Sequence, residues 1–240
     1  MKYFLFLFLF FCFTACASLK TPQDFTYIPL KEKTYTLASW QKITDDKEPV
    51  YIFLEGDGNA FNYQGLPTKN PTPKSTFLRK TAFNNKNKNI VYLARPCQYI
   101  KTQNCKEEDW TIGRFSAGIM QDTASAIKQI AQEKEIVLIG YSGGALLSGL
   151  IIQNYPDLKI KKWITIAGVL NHTDWTNFWG DKPLTKSLDL DFLPSVEQMH
   201  YAGTKDKIVP LELSKKWTKE KDLIIVPKVT HAGPFEINQI

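Results

Sequence analysis

Four short runs constrain this chain more than anything else in it: VYIFLE (50–55), NIVYLA (89–94), EIVLIG (135–140) and KKWITIAG (161–168). Each is rich in β-branched residues and apolar at consecutive positions, so a strand built from it has no wet face. Such strands must be covered on both sides, which is how the buried strands of a parallel sheet look. EQMHYAG and DLIIVP continue the series toward the C-terminus, and FTYIPLKEKTYTLASW alternates over short runs like an edge hairpin. Helical patterns fall between the runs. Ser116 is placed to cap a helix with Ile119, Met120, Ile127, Ile130 and Ala131 on one face, and residues 143–155 and 211–220 read as two more. The alternation predicts a three-layer α/β sandwich, a mostly parallel sheet with helices on both faces. With 240 residues and 43% hydrophobic content the chain can bury one sizeable core, so a single domain is expected.

One segment breaks the rhythm. Residues 171–195, NHTDWTNFWGDKPLTKSLDLDFLPS, are too long and too aromatic for an ordinary connection between strands. Trp175, Phe178, Trp179, Leu184, Leu188 and Phe192 read either as a lid-like insert over a cleft or as an excursion packed on the body.

The N-terminus stands apart from the core. MKYFLFLFLFFCFTACASLK carries one lysine, an apolar run too short to span a bilayer as a helix, and then small residues, the pattern of a secretory signal. Two processing routes are open. Phe13-Thr14-Ala15-Cys16 resembles a bacterial lipobox, which would make residues 1–15 the signal and lipidate Cys16; Ala15-Cys16-Ala17 is an A-x-A site, cleaved after Ala17. The first predicts a protein held at the bacterial envelope by a lipid anchor, facing the periplasm or the surface. The second predicts a soluble exported one. By either route Cys97 and Cys105 remain as a pair in an oxidising compartment, where a disulfide is expected; their spacing is not that of a zinc site. The formal charge is +6, carried mostly by dispersed lysines, with a mild cluster at Lys215, Lys216, Lys219 and Lys221. No nucleic-acid-binding motif accompanies that charge, so nucleic acid is set aside as a partner.

Chemistry enters at Gly140-Tyr141-Ser142-Gly143-Gly144, a G-x-S-x-G pattern between a strand-like run and a helix-like one. A turn this sharp strains the serine backbone and needs small neighbours, and it lifts the serine Oγ above the sheet at a helix N-terminus. Ser142 is the candidate nucleophile. Only three histidines exist, and His231, in VPKVTHAGPF after the last strand-like run, is the candidate base. His200 lies inside a strand pattern and reads as a core residue, and His172 opens the insert as a pocket residue. Asp206, in GTKDKIVP, is the candidate acid, with Asp174 in reserve. For the developing oxyanion the backbone N–H groups of Gly143 and Asp57 are expected to serve. Glu55, just before Asp57, would put a carboxylate near that anion unless neutral, turned away or paired, with Arg95 or Arg114 available as partners.

FLEGDGNAF, VYLARPCQY, Cys105 with Trp110-Thr111 and Arg114-Phe115, GYSGG, AGVLNHTDW, PLTKSL and GTKDKIVP together resemble the α/β-hydrolases, in particular exported, lipoprotein-like bacterial members. The resemblance runs from about residue 50 to the C-terminus and implies a serine nucleophile with a Ser-Asp-His triad. It implies hydrolysis of a small-molecule acyl substrate, a carboxylic ester or thioester, through an acyl-enzyme and without metal or organic cofactor. A surface lipoprotein that keeps the fold and binds ligands without turnover is the alternative.

Overall fold

A computed structural model describes residues 20–237; the signal-like segment 1–15, Cys16 and Ala17 lie outside the described residues. The chain runs β1 (Thr26–Lys31), β2 (Thr36–Ile43), β3 (Val50–Leu54), α1 (Phe77–Asn84), β4 (Asn89–Leu93), α2 (Ala117–Ala131), β5 (Ile136–Tyr141), α3 (Gly143–Asn154), β6 (Ile160–Ile166), α4 (His172–Trp179), β7 (Glu197–Gly203), α5 (Leu211–Trp217) and β8 (Leu223–Val226). The strands form one sheet in the order β1-β2-β4-β3-β5-β6-β7-β8. β1 and β2 make the expected antiparallel hairpin, β2 runs antiparallel to β4, and every pairing from β4 to β8 is parallel.

Two-faced apolarity in the sequence becomes two cores. Successive side chains of a strand point to opposite faces, so Ile52 and Leu54 of β3 join Val91, Leu93 and Leu138 on one face, with Ile119 and Ile127 of α2 and Leu146 and Leu147 of α3 above them. Phe53 joins Ile90, Tyr92, Val137 and Ile139 on the other face, beneath Leu78 and Ala82 of α1. All five residues of β4 and all six of β5 are buried. Ser116 caps α2 as expected, its hydroxyl accepting the Ile119 N–H at 3.4 Å.

α1 has no counterpart in the sequence reading. The parallel pairing of β3 with β4 requires a crossover, which is most often a helix. Only Leu78 and Ala82 of its eight residues are buried, too few to give a clear helical period.

The insert is part helix and part strap. Asn171 caps α4 by accepting the Asp174 N–H at 2.7 Å. Beyond the helix, Leu188 N–H donates to the Phe115 carbonyl at 3.0 Å and Ser187 Oγ–H to the Ile112 carbonyl at 2.8 Å. Leu184 and Leu190 are buried, and Leu190 packs against α3 so closely that a Cβ on Gly149 would lie 2.7 Å from its Cδ1. This half is a packed excursion. Phe178, Trp179, Leu188 and Phe192 are exposed. Cys97 and Cys105 are disulfide-bonded, with Cα atoms 5.7 Å apart. Among the described residues no helix is long and apolar enough to cross a membrane.

Candidate active site

Ser142 stands in the turn between β5 and α3 with φ 51° and ψ −123°, a conformation that non-glycine residues adopt only where surrounding structure enforces it. The enforcing contacts come from both neighbours: Ser142 N–H donates to the Ile166 carbonyl at 3.0 Å, and its own carbonyl accepts from Ala145 and Val169 at 3.0 and 3.1 Å. The flanking glycines permit the approach. A Cβ on Gly140 would come within 2.6 Å of Ala145 Cα, and one on Gly144 within 2.6 Å of the Leu54 carbonyl oxygen.

The loop after β8 brings His231 to this turn, its Nε2 3.0 Å from Ser142 Oγ and its Nδ1 2.8 Å from Asp206 Oδ2. Tyr141 O–H donates to the His231 carbonyl at 3.2 Å, and its ring lies alongside the imidazole with centroids 5.2 Å apart. Asp206 follows β7, and its Oδ1 accepts the N–H groups of Ile208 at 2.8 Å and Val209 at 2.9 Å. With one oxygen held by the backbone and the other on His231, the carboxylate has one orientation. Its side chain is 1% exposed. The three residues named from the sequence thus form one hydrogen-bonded line from buried carboxylate to serine. Asp174, the reserve, is engaged elsewhere, accepting from Trp217 Nε1 at 2.8 Å and pairing with Lys216 Nζ at 2.7 Å.

The loop after β3 supplies the opposite wall. The N–H groups of Asp57 and Gly143 make no hydrogen bond among the described residues, as donors reserved for a ligand would. The Asp57 carboxylate lies against Gly143, where a Cβ would overlap its Oδ1. Of the alternatives open for Glu55, a direct ion pair with Arg95 or Arg114 is not formed: both arginines pair with Asp57. Arg95 Nη1 is 2.5 Å from Asp57 Oδ1, and Arg114 Nε 3.1 Å from Oδ2. Glu55 instead accepts Tyr92 O–H at 2.6 Å and the Gly56 N–H at 2.9 Å. Burial pushes its carboxyl above the ordinary range, against the opposing pull of those hydrogen bonds and of Arg79 and Arg95. Arg79 lies over the rings of Trp40 and Tyr99, at 5.3 and 5.5 Å. No sequence pattern announced this arginine cluster, because its members come from α1 and two separate loops.

The other two histidines occupy different settings. His200 is a core residue, bonded to Thr165 Oγ1 at 2.8 Å and Gln198 Oε1 at 3.0 Å, and burial pushes it down to about 4. His172 lines the cleft, stacked on Phe115 with centroids 6.0 Å apart. Burial lowers its pKa, and neither ring nitrogen has a hydrogen-bond partner.

These groups surround a cleft of about 480 Å³ whose walls include Ser142, His231, Asp57, Arg114, His172 and Trp175. A larger hollow of about 750 Å³ lies between α1 and residues 232–237, but it holds no nucleophile or base. The cleft sits beyond the carboxyl ends of β3, β5 and β7, where open α/β sheets bind ligands. Among the described residues no group of His, Cys, Asp and Glu could hold a metal ion.

Solved structures share this architecture. An α/β serine hydrolase homologue from Coxiella burnetii superposes with a TM-score of 0.55 at 14% identity, over 89% of this chain and 91% of its own. Est1E from Butyrivibrio proteoclasticus gives 0.56 at 13% identity, over 87% and 90%. The chain has the α/β-hydrolase fold. A lidless α/β serine hydrolase from Xanthomonas campestris gives 0.50 at 14% identity, over 90% of this chain and 89% of its own. No protein-family model and no curated protein matches the sequence.

Proposed function

We propose that this protein is a serine hydrolase that cleaves a carboxylic ester or thioester through an acyl-enzyme, with Ser142 as nucleophile, His231 as general base and acid, and Asp206 as the group that orients and charges the imidazole. The observation that carries the reading is the unbroken line Asp206 Oδ2–His231 Nδ1, 2.8 Å, and His231 Nε2–Ser142 Oγ, 3.0 Å. Ser142 Oγ attacks the carbonyl carbon as its proton passes to His231 Nε2. The carbonyl oxygen becomes an oxyanion, for which the free N–H groups of Gly143 and Asp57 are the donors. Collapse breaks the bond to the leaving alcohol or thiol, which takes the proton from His231; water then repeats the sequence and releases the acid. Asp206 favours the tautomer with its proton on Nδ1 and stabilises imidazolium as it forms.

Export belongs to the same proposal. The segment 1–15 would be removed and Cys16 lipidated, holding the enzyme at the envelope; the Cys97–Cys105 disulfide suits an oxidising compartment.

Purified mature protein is assayed against p-nitrophenyl esters and acyl thioesters of varied chain length. Ser142→Ala is expected to lower turnover by about 10⁴- to 10⁶-fold with the fold intact. Turnover retained by that variant would remove Ser142 as the nucleophile, and turnover absent from the wild type throughout would leave a ligand-binding protein in place of an enzyme.

A further inference from the structure

The charges on the wall opposite the triad do not balance. Three arginines and two carboxylates meet there. Glu55 faces Arg79 and Tyr92, and Asp57 is shared between Arg95 and Arg114. Arg95 also turns inward, its Nη2 donating to the Arg114 carbonyl. Of the three, Arg114 is the one that lines the cleft. Its Nε lies near Asp57 but makes no aligned hydrogen bond, and its terminal nitrogens donate to nothing among the described residues. The residue is 4% exposed yet lines the cleft. Its guanidinium is set among the rings of Phe61, Phe115 and Trp175, at 5.8, 5.7 and 5.6 Å. Beside it His172, 5% exposed, also lines the cleft; neither ring nitrogen makes an aligned hydrogen bond, and Nδ1 lies 3.7 Å from Asp189 Oδ2.

A cation this buried is costly unless well paired, and Asp57, which it shares with Arg95, meets it only at Nε. The protein offers no second carboxylate: Asp189, 3.7 Å from His172 Nδ1, is already bonded to the N–H groups of His172 and Thr173. Asp57 connects this site to the chemistry, one carboxylate oxygen against Gly143 and the other toward Arg114. Arg114 and Ser142 line the same cleft.

We infer that Arg114 and His172 form a subsite for an anionic group on the substrate, so that the enzyme prefers an ester or thioester bearing a carboxylate over its neutral counterpart. This rests on the serine hydrolase reading above. Arg114 supplies charge and a planar pair of donors suited to a carboxylate; His172 adds a neutral N–H donor, and the aromatic rings keep water from screening the pair.

The test is the ratio of kcat/KM for charged and neutral substrates of matched shape, taken within each variant so that general damage cancels. Mono-p-nitrophenyl glutarate against its methyl ester places the charge on the acyl side. 4-Acetoxybenzoate against its methyl ester places it on the leaving-group side. In one series the charged-to-neutral ratio is expected to fall about tenfold or more in Arg114→Gln, as loss of a charge-assisted contact should. It should fall less in Arg114→Lys and in His172→Gln, either of which serves if Arg114→Gln does not fold. Where turnover is too slow to compare, protection of Ser142 from a neutral fluorophosphonate by hexanoate against hexanamide gives the same ratio. A ratio unchanged by these substitutions in both series and in protection would overturn the anion subsite while leaving the triad standing. Loss of fluorophosphonate reaction in the wild type itself would instead overturn the hydrolase reading.

Discussion

The two walls of the cleft are built on opposite plans. Among the triad side chains every polar atom has a partner: both nitrogens of His231, both oxygens of Asp206 and the hydroxyl of Ser142 are hydrogen-bonded. On the groups that face them across the cleft, donors stand free, namely the N–H of Asp57, the terminal nitrogens of Arg114 and Nε2 of His172. A proton relay needs its geometry fixed before the substrate arrives, since reorganisation during the reaction would add to the barrier. A recognition surface needs the reverse, groups whose hydrogen bonds are completed by the ligand. The same contrast divides the two cleft histidines, one fully engaged and one not: His231 lies on the loop after β8 and His172 opens α4.

That contrast can be broken from either side. The largest effect is expected on the triad wall. Asp206→Asn keeps the shape of the side chain but favours the wrong imidazole tautomer, and kcat should fall by about 10⁴-fold with little change in thermal stability. An activity loss below tenfold would show that His231 does not depend on its line to Asp206.

On the other wall the expected loss is stability. Asp57→Asn leaves Arg95 and Arg114 without a counter-charge, and breaking a buried pair in this way costs about 3–5 kcal/mol. The lower end applies, because the Asp57 side chain is 23% exposed. Urea unfolding measures it; an unchanged midpoint would mean that the arginines do not need this carboxylate.

A smaller effect is expected at the core histidine. Burial holds His200 at about 4, below its unfolded value of about 6.5. Below that unfolded value the unfolded chain takes up a proton that the folded chain refuses, so the stability this residue contributes is complete above about pH 6.5 and is lost as the pH falls toward about 4. Between pH 7 and pH 5 the loss should be about 2 kcal/mol. Unfolding curves for wild type and His200→Gln at the two pH values isolate it, since Glu55, shifted upward, acts with the opposite sign in both proteins. Parallel acid sensitivity in the two proteins would contradict the assignment.

The strands and the triad were legible in the sequence for local reasons. Runs such as VYIFLE and EIVLIG have no polar face to leave in water, and three histidines in the whole chain leave few candidates for a base. Ser142 was marked by glycines that the turn requires. The other wall was not legible. Arg95, Arg114 and Asp57 converge from loops 19 or more residues apart, and each alone reads as an ordinary surface charge. Of the alternatives left open for Glu55, burial favours the neutral one, and Tyr92, on the adjacent strand β4, reaches that carboxyl from within the core. α1 escaped because a short helix with two buried residues leaves almost no period. Of the six insert residues named from the sequence, the structure places Trp175 on the cleft wall and Leu184 in the packed strap. Aromatic content alone could not separate those settings.

The central claim is that Ser142 is an activated nucleophile. Its most direct measurement is the mass-mapped site of reaction with a neutral fluorophosphonate, in the wild type and in His231→Ala. Modification is expected at Ser142 alone in the wild type, and slower by several orders of magnitude once the base is removed. Modification at another serine, or at Ser142 with the same rate in His231→Ala, would contradict it.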